Sequence, residues 1–202
     1  MKLFYMPGAC SLASHIVARE AGLKVEPVKM DRATRRTADG RDYLAINPKG
    51  YVPALEFDDG QVLTEGPAIL QYLADQKPGS GLAPAAGTLE RYRLQETLTY
   101  LNGEIHKTMG ALFNPAITPE ARQERVDYLN KRYPLIEKQL AGKSYLFGET
   151  FTAADAYLFV VTNWSGMLKV DLSAYPNLMA FQKRVAARPE VQAAMKAEGL
   201  IS

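Results

Sequence analysis

The sequence predicts two parts in series, a small α/β unit followed by an all-helical region. Over residues 1–77, short strand patterns alternate with helical patterns. Residues 78–87 are rich in Gly, Pro and Ala, a composition typical of a linker. Residues 88–202 carry helical patterns only. The predicted boundaries therefore lie between these three segments.

Four strands and two helices are predicted in the α/β unit. A strand at residues 2–6 leads into a helix over residues 10–21, which ends at Gly22 because glycine suits the position after a helix. Residues 31–50 are polar and are expected to form a loop. The further elements are strands at residues 25–30, 53–57 and 61–64 and a helix over residues 66–76.

Turn and proline signals arrange these elements. Pro27 indicates that the second strand lies at an edge, because proline cannot donate to a sheet ladder. Asp58, Asp59 and Gly60 indicate a hairpin between the third and fourth strands. Pro67 falls in the first turn of the second helix, where its missing N–H is harmless.

The helical region is expected to hold about five helices. Thr118 and Pro176 mark two of the helix starts. Thr152 and Asp155 have the spacing of a capping box, with aspartate in place of the usual glutamate or glutamine. This pattern predicts a third helix start.

Composition excludes several classes of function. Of the 202 residues, 47% are hydrophobic and 23% are charged, as in an ordinary globular protein. The net charge is +2 without a long basic block, so no nucleic-acid partner is expected. One cysteine excludes an internal disulfide, and with only two histidines it argues against a metal site.

The first residues do not have the pattern of a secretory signal. Pro7 and Gly8 interrupt the apolar stretch before it reaches the roughly 7–15 residues of a signal core. No stretch approaches the roughly 20 apolar residues of a membrane span. We therefore expect a cytoplasmic protein with no membrane partner, in which a lone thiol stays reduced.

The single cysteine, Cys10, opens the first predicted helix. A helix N-terminus favours the thiolate form of a cysteine, which is the nucleophilic form. Tyr5 and Ser11 are close enough in sequence to lend hydroxyl donors. Alternatively, Cys10 is a small buried apolar residue, as free cysteines often are. Position alone leaves both interpretations open.

Two other short motifs have features of a ligand site. A cis Pro53 would leave the backbone N–H and C=O of Val52 free to pair with an extended peptide-like ligand. Glu65 and Gly66 stand at a helix N-terminus, which suits a ligand carrying both a carboxylate and an ammonium group. The alternatives are an ordinary proline at a strand start and an acid that complements the helix dipole.

One predicted helix of the second region carries two stripes. The first stripe is apolar and predicts core: Leu94, Leu98, Leu101, Ile105 and Leu112. The second is mixed and suits the wall of a cleft: Thr99, Asn102, His106, Met109 and Phe113. His106 is a candidate acid–base residue, although a lone histidine is more often structural.

Together these motifs resemble the glutathione S-transferase family, and the bacterial beta class most closely. The resemblance covers essentially the whole chain and rests on Tyr5, "PGACSLASH" (7–15), "NPKGYVPAL" (47–55), "TEGPAI" (64–69) and "FTAADAYLF" (151–159). It implies a thioredoxin-like N-terminal domain with a four-stranded mixed sheet, followed by an all-helical C-terminal domain.

The resemblance also assigns residues. It implies catalytic roles for Cys10 and His106, with the histidine close to the thiol. Arg35 would lie near the glycyl carboxylate of glutathione, and Val52 would pair with its cysteinyl part. The implied glutathione-binding residues are Tyr5, Cys10, Ser11, Arg35, Val52, Pro53, Glu65, Gly66, Thr99, Glu104 and His106.

Some of these positions differ from the family pattern or have a simpler interpretation. Gly66 and Thr99 stand where relatives have serine and asparagine. Thr99 and Glu104 would reach the glutathione of a partner subunit. The implied electrophile pocket is Lys107, Phe113 and Trp164, and ordinary helix packing is the alternative for the two aromatic residues.

The implied function is that of a cytoplasmic homodimeric enzyme. It would conjugate reduced glutathione, its co-substrate, to small hydrophobic electrophiles without a metal. Cys10 adds thiol–disulfide exchange, peroxidase or dehalogenase chemistry as further possibilities. The alternative is a non-catalytic binding or stress-response protein that kept the fold.

Overall fold

The computed structural model describes all 202 residues, which form two compact units. The first consists of Met1–Ala83 and Ala187–Ser202, and the second of Pro84–Ala186. In chain order the elements are β1 (Lys2–Tyr5), α1 (Ser11–Glu20), β2 (Glu26–Lys29), α2 (Tyr43–Ile46), β3 (Ala54–Glu56), β4 (Val62–Thr64), α3 (Gly66–Asp75), α4 (Leu89–Tyr100), a π-helix (Leu101–His106), α5 (Lys107–Ala111), α6 (Pro119–Leu140), α7 (Ala153–Leu168), α8 (Pro176–Ala186) and α9 (Pro189–Ala197).

The first unit is built on a four-stranded sheet with strand order β2-β1-β3-β4. β1 pairs with β2 in parallel and with β3 antiparallel, and β3 pairs antiparallel with β4. The predicted mixed sheet is therefore confirmed. Pro27 lies opposite Leu3 on the edge strand β2, as its missing N–H indicated.

Helices of the first unit cover this sheet. α1 packs against α3 and α9, and the buried core includes Phe4, Ile16, Leu55 and Ile69. The sequence analysis grouped α9 with the helical region, but α9 belongs to the compact unit that contains the sheet. The short helix α2 was predicted as loop, since four residues are too few to show a helical period.

The second unit is all-helical. Most of α7 is buried, from Ala153 to Ser165 with few exceptions, so this helix forms much of the unit's interior. The predicted capping box is present: Asp155 accepts hydrogen bonds from the backbone N–H and the hydroxyl of Thr152, at 2.8 and 2.7 Å. No helix in the structure combines the length and the apolar character that crossing a membrane requires.

A π-helical segment interrupts the helix that carries the two predicted stripes. The backbone N–H of Lys107 donates to the carbonyl of Asn102, five residues earlier. The apolar stripe is buried as predicted. Met109 was predicted to line a cleft, but it is fully buried with its sulfur 3.4 Å from the Tyr133 hydroxyl. Met109 lies four residues after Ile105 and three before Leu112, so helical spacing also places it on the buried apolar stripe.

Candidate functional site

Cys10 immediately precedes α1, and its side chain faces a carbonyl group. Its Sγ lies 3.2 Å from the carbonyl oxygen of Val52, to which the thiol donates. No hydrogen bond joins the Cys10 side chain to the backbone N–H groups that open the helix. A thiolate cannot donate, so this contact requires the protonated thiol. In this structure Cys10 is therefore a hydrogen-bond donor, and its predicted role as a thiolate stays a prediction.

The loop before β3 brings Val52 to this position. The Val52–Pro53 peptide bond is cis. The carbonyl of the preceding Tyr51 accepts from the Tyr43 hydroxyl and from the Asn47 side-chain amide, both at 2.7 Å. The carbonyl of Val52 accepts one hydrogen bond, from the Cys10 thiol, and its second lone pair can still accept from a ligand, so the predicted pairing of Val52 with a peptide-like ligand stays a prediction.

Ser11 and Tyr5 face inward. The buried Ser11 hydroxyl lies 3.3 Å from both the backbone N–H and the carbonyl of Met6. The Tyr5 ring is buried 6.2 Å from the His15 ring, and burial, followed by the nearby charge of Glu198, raises the pKa of Tyr5. Helical geometry turns Ser11 back towards the preceding turn. The prediction that the two hydroxyls contact a ligand stays a prediction.

Glu198 is a buried residue that the sequence did not reveal as part of this region. One of its carboxylate oxygens accepts from the backbone N–H of Gly8, and the other contacts His15 Nδ1, both at 3.0 Å. Glu198 thereby anchors the loop that carries Cys10. Gly8 and Glu198 are separated by 190 positions in the sequence, so no local signal reveals this contact.

Charged residues surround the start of α3. Glu65 precedes this helix with φ +73°, and its carboxylate pairs with Lys49 at 2.7 Å. Lys49 also donates to the Thr64 hydroxyl at 2.9 Å. Arg35 is half-buried and donates to the carbonyl of Gly50 at 2.7 Å. Lys49 was not predicted as a site residue, because nothing in the sequence pairs it with Glu65.

Gly66, the first residue of α3, has room for a side chain. A Cβ atom built on it meets no atom within 4 Å. A serine there would place a hydroxyl beside the free N–H groups of the helix N-terminus, where an incoming carboxylate is favoured.

On the expectation from the sequence that this helix start receives the γ-glutamyl carboxylate of glutathione, Gly66→Ser should lower the KM for glutathione about twofold to tenfold, the range of one additional hydrogen bond. Steady-state kinetics at varied glutathione concentration would measure the change. Gly66→Ala is the matched control, since it adds the same Cβ without the hydroxyl. An equal fall in KM for both variants would show that the hydroxyl contributes nothing.

His106 lies at the end of the π-helix within a polar and aromatic cluster. Its Nδ1 is 2.6 Å from the Tyr157 hydroxyl, which in turn donates to Asn102 Oδ1 at 2.9 Å. The Trp164 ring lies 5.3 Å from the imidazole. Burial, assisted by the charge of Lys107, lowers the pKa of His106 to about 4. The imidazole is therefore neutral at pH 7, the form that can accept a proton, while a pKa this low also makes it a weak base.

The predicted electrophile-pocket residues are partly brought together. Phe113 packs edge-to-face on Trp164, with ring centroids 5.4 Å apart, and 37% of Phe113 remains exposed. Trp164 itself is buried. Lys107 is exposed beside His106. These contacts make His106, Trp164 and Phe113 one continuous aromatic surface.

Thr99 and Glu104 line a different feature, an open groove of about 660 Å³. The Thr99 hydroxyl donates to its own helix, at the carbonyl of Gln95. Glu104 accepts from the Tyr128 hydroxyl and from Arg132 Nε, both at 2.5 Å, and these two bonds, Tyr128 first, lower the pKa of Glu104. Glu104 is thus an ionised, already paired carboxylate.

Comparison with known proteins places the whole chain in context. The family models for the glutathione S-transferase N-terminal and C-terminal domains match residues 1–75 and 100–189. Glutathione S-transferase GstA of Escherichia coli O157:H7 is 46% identical over 200 residues, covering 99% of this chain and 100% of that protein.

Solved structures agree with this match. A sphingomonad glutathione S-transferase complexed with glutathione has 49% identity and a TM-score of 0.95, with 100% of both chains covered. A bacterial beta class glutathione S-transferase from Sphingomonas chungbukensis has 50% identity and a TM-score of 0.95, again with 100% of both chains covered. The similarity thus extends over both structural units.

Proposed function

Because the chain belongs to the glutathione S-transferase family, we propose which of its residues bind glutathione and carry the reaction. The enzyme is a glutathione S-transferase of the bacterial beta class type, with the thioredoxin-like and helical domains of that family. It conjugates reduced glutathione to small hydrophobic electrophiles.

The glutathione site is proposed on the first unit, along the loop before β3 and the start of α3. The single observation that carries this proposal is the 3.2 Å contact between the Cys10 thiol and the Val52 carbonyl. It brings a sulfur next to the backbone position where a peptide-like ligand would pair. The cysteinyl part of glutathione then lies at Val52, next to Pro53 and Cys10.

Charges on either side suit the two ends of the tripeptide. Arg35 offers the remaining donors of its guanidinium to the glycyl carboxylate. Glu65 pairs with the ammonium group of the γ-glutamyl end, and Gly66 receives its carboxylate at the N-terminus of α3. Lys49 is proposed as an additional glutathione contact, because its ion pair with Glu65 places its ammonium group next to the site of the γ-glutamyl end.

The proposed reaction uses one donor and one acceptor. His106, as a neutral imidazole, accepts the proton of the glutathione thiol. On glutathione binding, the single hydrogen of the Cys10 thiol turns from the Val52 carbonyl to the glutathione sulfur, and this hydrogen bond favours the anionic form of that sulfur. The sulfur attacks the electrophilic carbon, a carbon–sulfur bond forms, and the leaving group departs with its electron pair. Trp164, Phe113 and Lys107 are proposed to contact the electrophile.

Cys10 also supports a second chemistry, thiol–disulfide exchange. As a thiolate it can attack a glutathione disulfide, forming a mixed disulfide and releasing one glutathione thiolate. Peroxidase and dehalogenase activities through Cys10 belong to the same proposal. Exchange requires that the Cys10 sulfur form a covalent bond to glutathione, whereas the proposed conjugation requires only a hydrogen-bond donor at this position.

We therefore expect Cys10→Ala to lower disulfide-exchange activity more than tenfold and transferase activity only about fivefold, the loss of one hydrogen bond. Turnover of a chlorodinitrobenzene substrate and reduction of a mixed disulfide would measure the two activities. Cys10→Ser keeps a donor without the sulfur, so it should retain transferase activity and lose exchange. Equal losses in both assays for Cys10→Ala would contradict the proposed division of roles.

We further propose that the enzyme is a homodimer, in which the groove lined by Thr99 and Glu104 faces the partner's glutathione. A cytoplasmic location is proposed from the single free cysteine. The metal-free character of the reaction stays a prediction. Detoxification of electrophiles is the physiological role that this chemistry suits.

A further inference from the structure

Three side chains of the second unit form a continuous hydrogen-bonded chain. Asn102 Oδ1 lies 2.9 Å from the Tyr157 hydroxyl, and the same hydroxyl lies 2.6 Å from His106 Nδ1. Asn102 and His106 both belong to the π-helix, and Tyr157 reaches them from the buried helix α7. These two hydrogen bonds thus link the π-helix to α7 within one compact unit.

The donors and acceptors of this chain have a definite direction. A phenol has one hydrogen to donate, and Tyr157 donates it to Asn102 Oδ1. The phenol oxygen must therefore accept from His106, which requires a hydrogen on Nδ1. In a neutral imidazole one nitrogen is a donor and the other an acceptor.

We infer that Tyr157 and Asn102 are positioning residues that hold His106 in the Nδ1–H tautomer, leaving Nε2 unprotonated as the proton-accepting atom. The inference rests on the proposed function, because it specifies which nitrogen of His106 accepts the thiol proton. Neither Tyr157 nor Asn102 touches the reacting sulfur in this scheme. They act through the imidazole, as second partners of catalytic histidines commonly do.

Packing fixes the plane of the imidazole as well as its tautomer. The Tyr157 ring meets the His106 ring edge-to-face, at 5.7 Å between centroids and an interplanar angle of 85°. The Trp164 ring lies 5.3 Å from the same imidazole. Because Nδ1 is hydrogen-bonded and the ring is held between two aromatic residues, the direction of the Nε2 lone pair is fixed.

The tautomer is measurable on the intact ¹⁵N-labelled protein. Long-range ¹H–¹⁵N NMR distinguishes a protonated from an unprotonated ring nitrogen by its ¹⁵N shift, and it separates Nε2 from Nδ1 by their couplings to the ring protons. The protein has only two histidines, His15 and His106. The His106 signals are assigned as those that disappear in the His106→Gln variant. We expect a protonated Nδ1 and an unprotonated Nε2 for His106 at pH 7.

Tyr157→Phe removes the hydroxyl and keeps the ring. We expect the His106 spectrum of this variant to shift towards the Nε2–H tautomer, while the His15 signals stay unchanged because Glu198 holds that ring. Transferase kcat/KM should fall about tenfold, the lower end of the loss seen when the outer partners of metal-binding histidines are replaced. Tyr133→Phe, which removes another buried hydroxyl of the same unit, should change neither readout.

The outcomes separate the inference from the proposed function. A wild-type His106 that is protonated on Nε2, or a Tyr157→Phe spectrum identical to wild type, would overturn the inference. The wild-type spectrum decides by itself if the variant does not fold. If the tautomer shifts as expected and kcat/KM does not change, the tautomer assignment holds and the role of His106 as proton acceptor fails.

Discussion

Replacing Asp155 with alanine is expected to lower the free energy of unfolding by about 3–5 kcal/mol, because it strands several buried donors. The fully buried carboxylate accepts from the backbone N–H of Leu146 at 2.8 Å and from the N–H and hydroxyl of Thr152 at 2.8 and 2.7 Å. Alanine can accept none of these hydrogens. Urea unfolding followed by circular dichroism would measure the loss.

Asp171 provides a matched control within the same unit. Its carboxylate also accepts from a backbone N–H and a hydroxyl, both of Ser173, at 2.8 and 2.9 Å, but Asp171 is exposed. Water can replace the lost acceptor there, so Asp171→Ala should cost less than about 1 kcal/mol. Similar losses for the two variants would show that burial of the Asp155 network is not what stabilises this helix start.

The destabilisation caused by Asp155→Ala should also depend on pH. Burial raises the pKa of the Asp155 carboxyl to about 6, against the opposing effect of its hydrogen bonds. Since this folded-state pKa lies above that of an unfolded aspartate, the part of the stabilisation that is linked to protonation of Asp155 is complete below about pH 4 and is lost as the pH rises through about 6. The hydrogen bonds accepted by the carboxylate remain at pH 7. The stability difference between wild type and variant should therefore grow between pH 7 and pH 4. A difference that shrinks over this range would mean that the hydrogen bonds outweigh burial.

Local signals in the sequence were sufficient for much of the fold. The capping box of Thr152 and Asp155 spans four residues, so its spacing is visible without any tertiary information. Pro27 likewise identifies the edge strand from its own chemistry. The π-helix that ends at His106 left no comparable signal, because the apolar stripe before and after it keeps a period close to that of an α-helix.

The sequence predicted which residue types form the candidate site better than it predicted the contacts that they make. The position of Cys10 at a helix start follows from the sequence, but the direction of its hydrogen bond depends on Val52, which only the folded loop brings within 3.2 Å. Glu198 and Tyr157 were missed for the same reason. Their partners, Gly8 and His106, are 190 and 51 residues away along the chain.

His106→Gln is expected to lower transferase kcat/KM about 100-fold at neutral pH, the lower end of the effect of removing a general base. Because burial and the Lys107 charge lower the pKa of His106 to about 4, the wild-type imidazole stays neutral and able to accept a proton throughout the range from about pH 5 to pH 9. Wild-type activity should therefore show no loss from His106 protonation until the pH approaches 4. Steady-state kinetics over this range would test both statements.

The ratio of the wild-type kcat/KM to that of His106→Gln should become smaller at alkaline pH. A free thiol ionises with a pKa of about 8.5, so above roughly pH 9 glutathione supplies its own thiolate and needs less help from a base. A purely structural role for His106, for instance in packing against Trp164, would instead give a loss of activity that is constant with pH. The ratio of the two kcat/KM values at pH 6.5 and at pH 9 therefore distinguishes a proton acceptor from a packing residue, and a constant ratio would exclude the acceptor role.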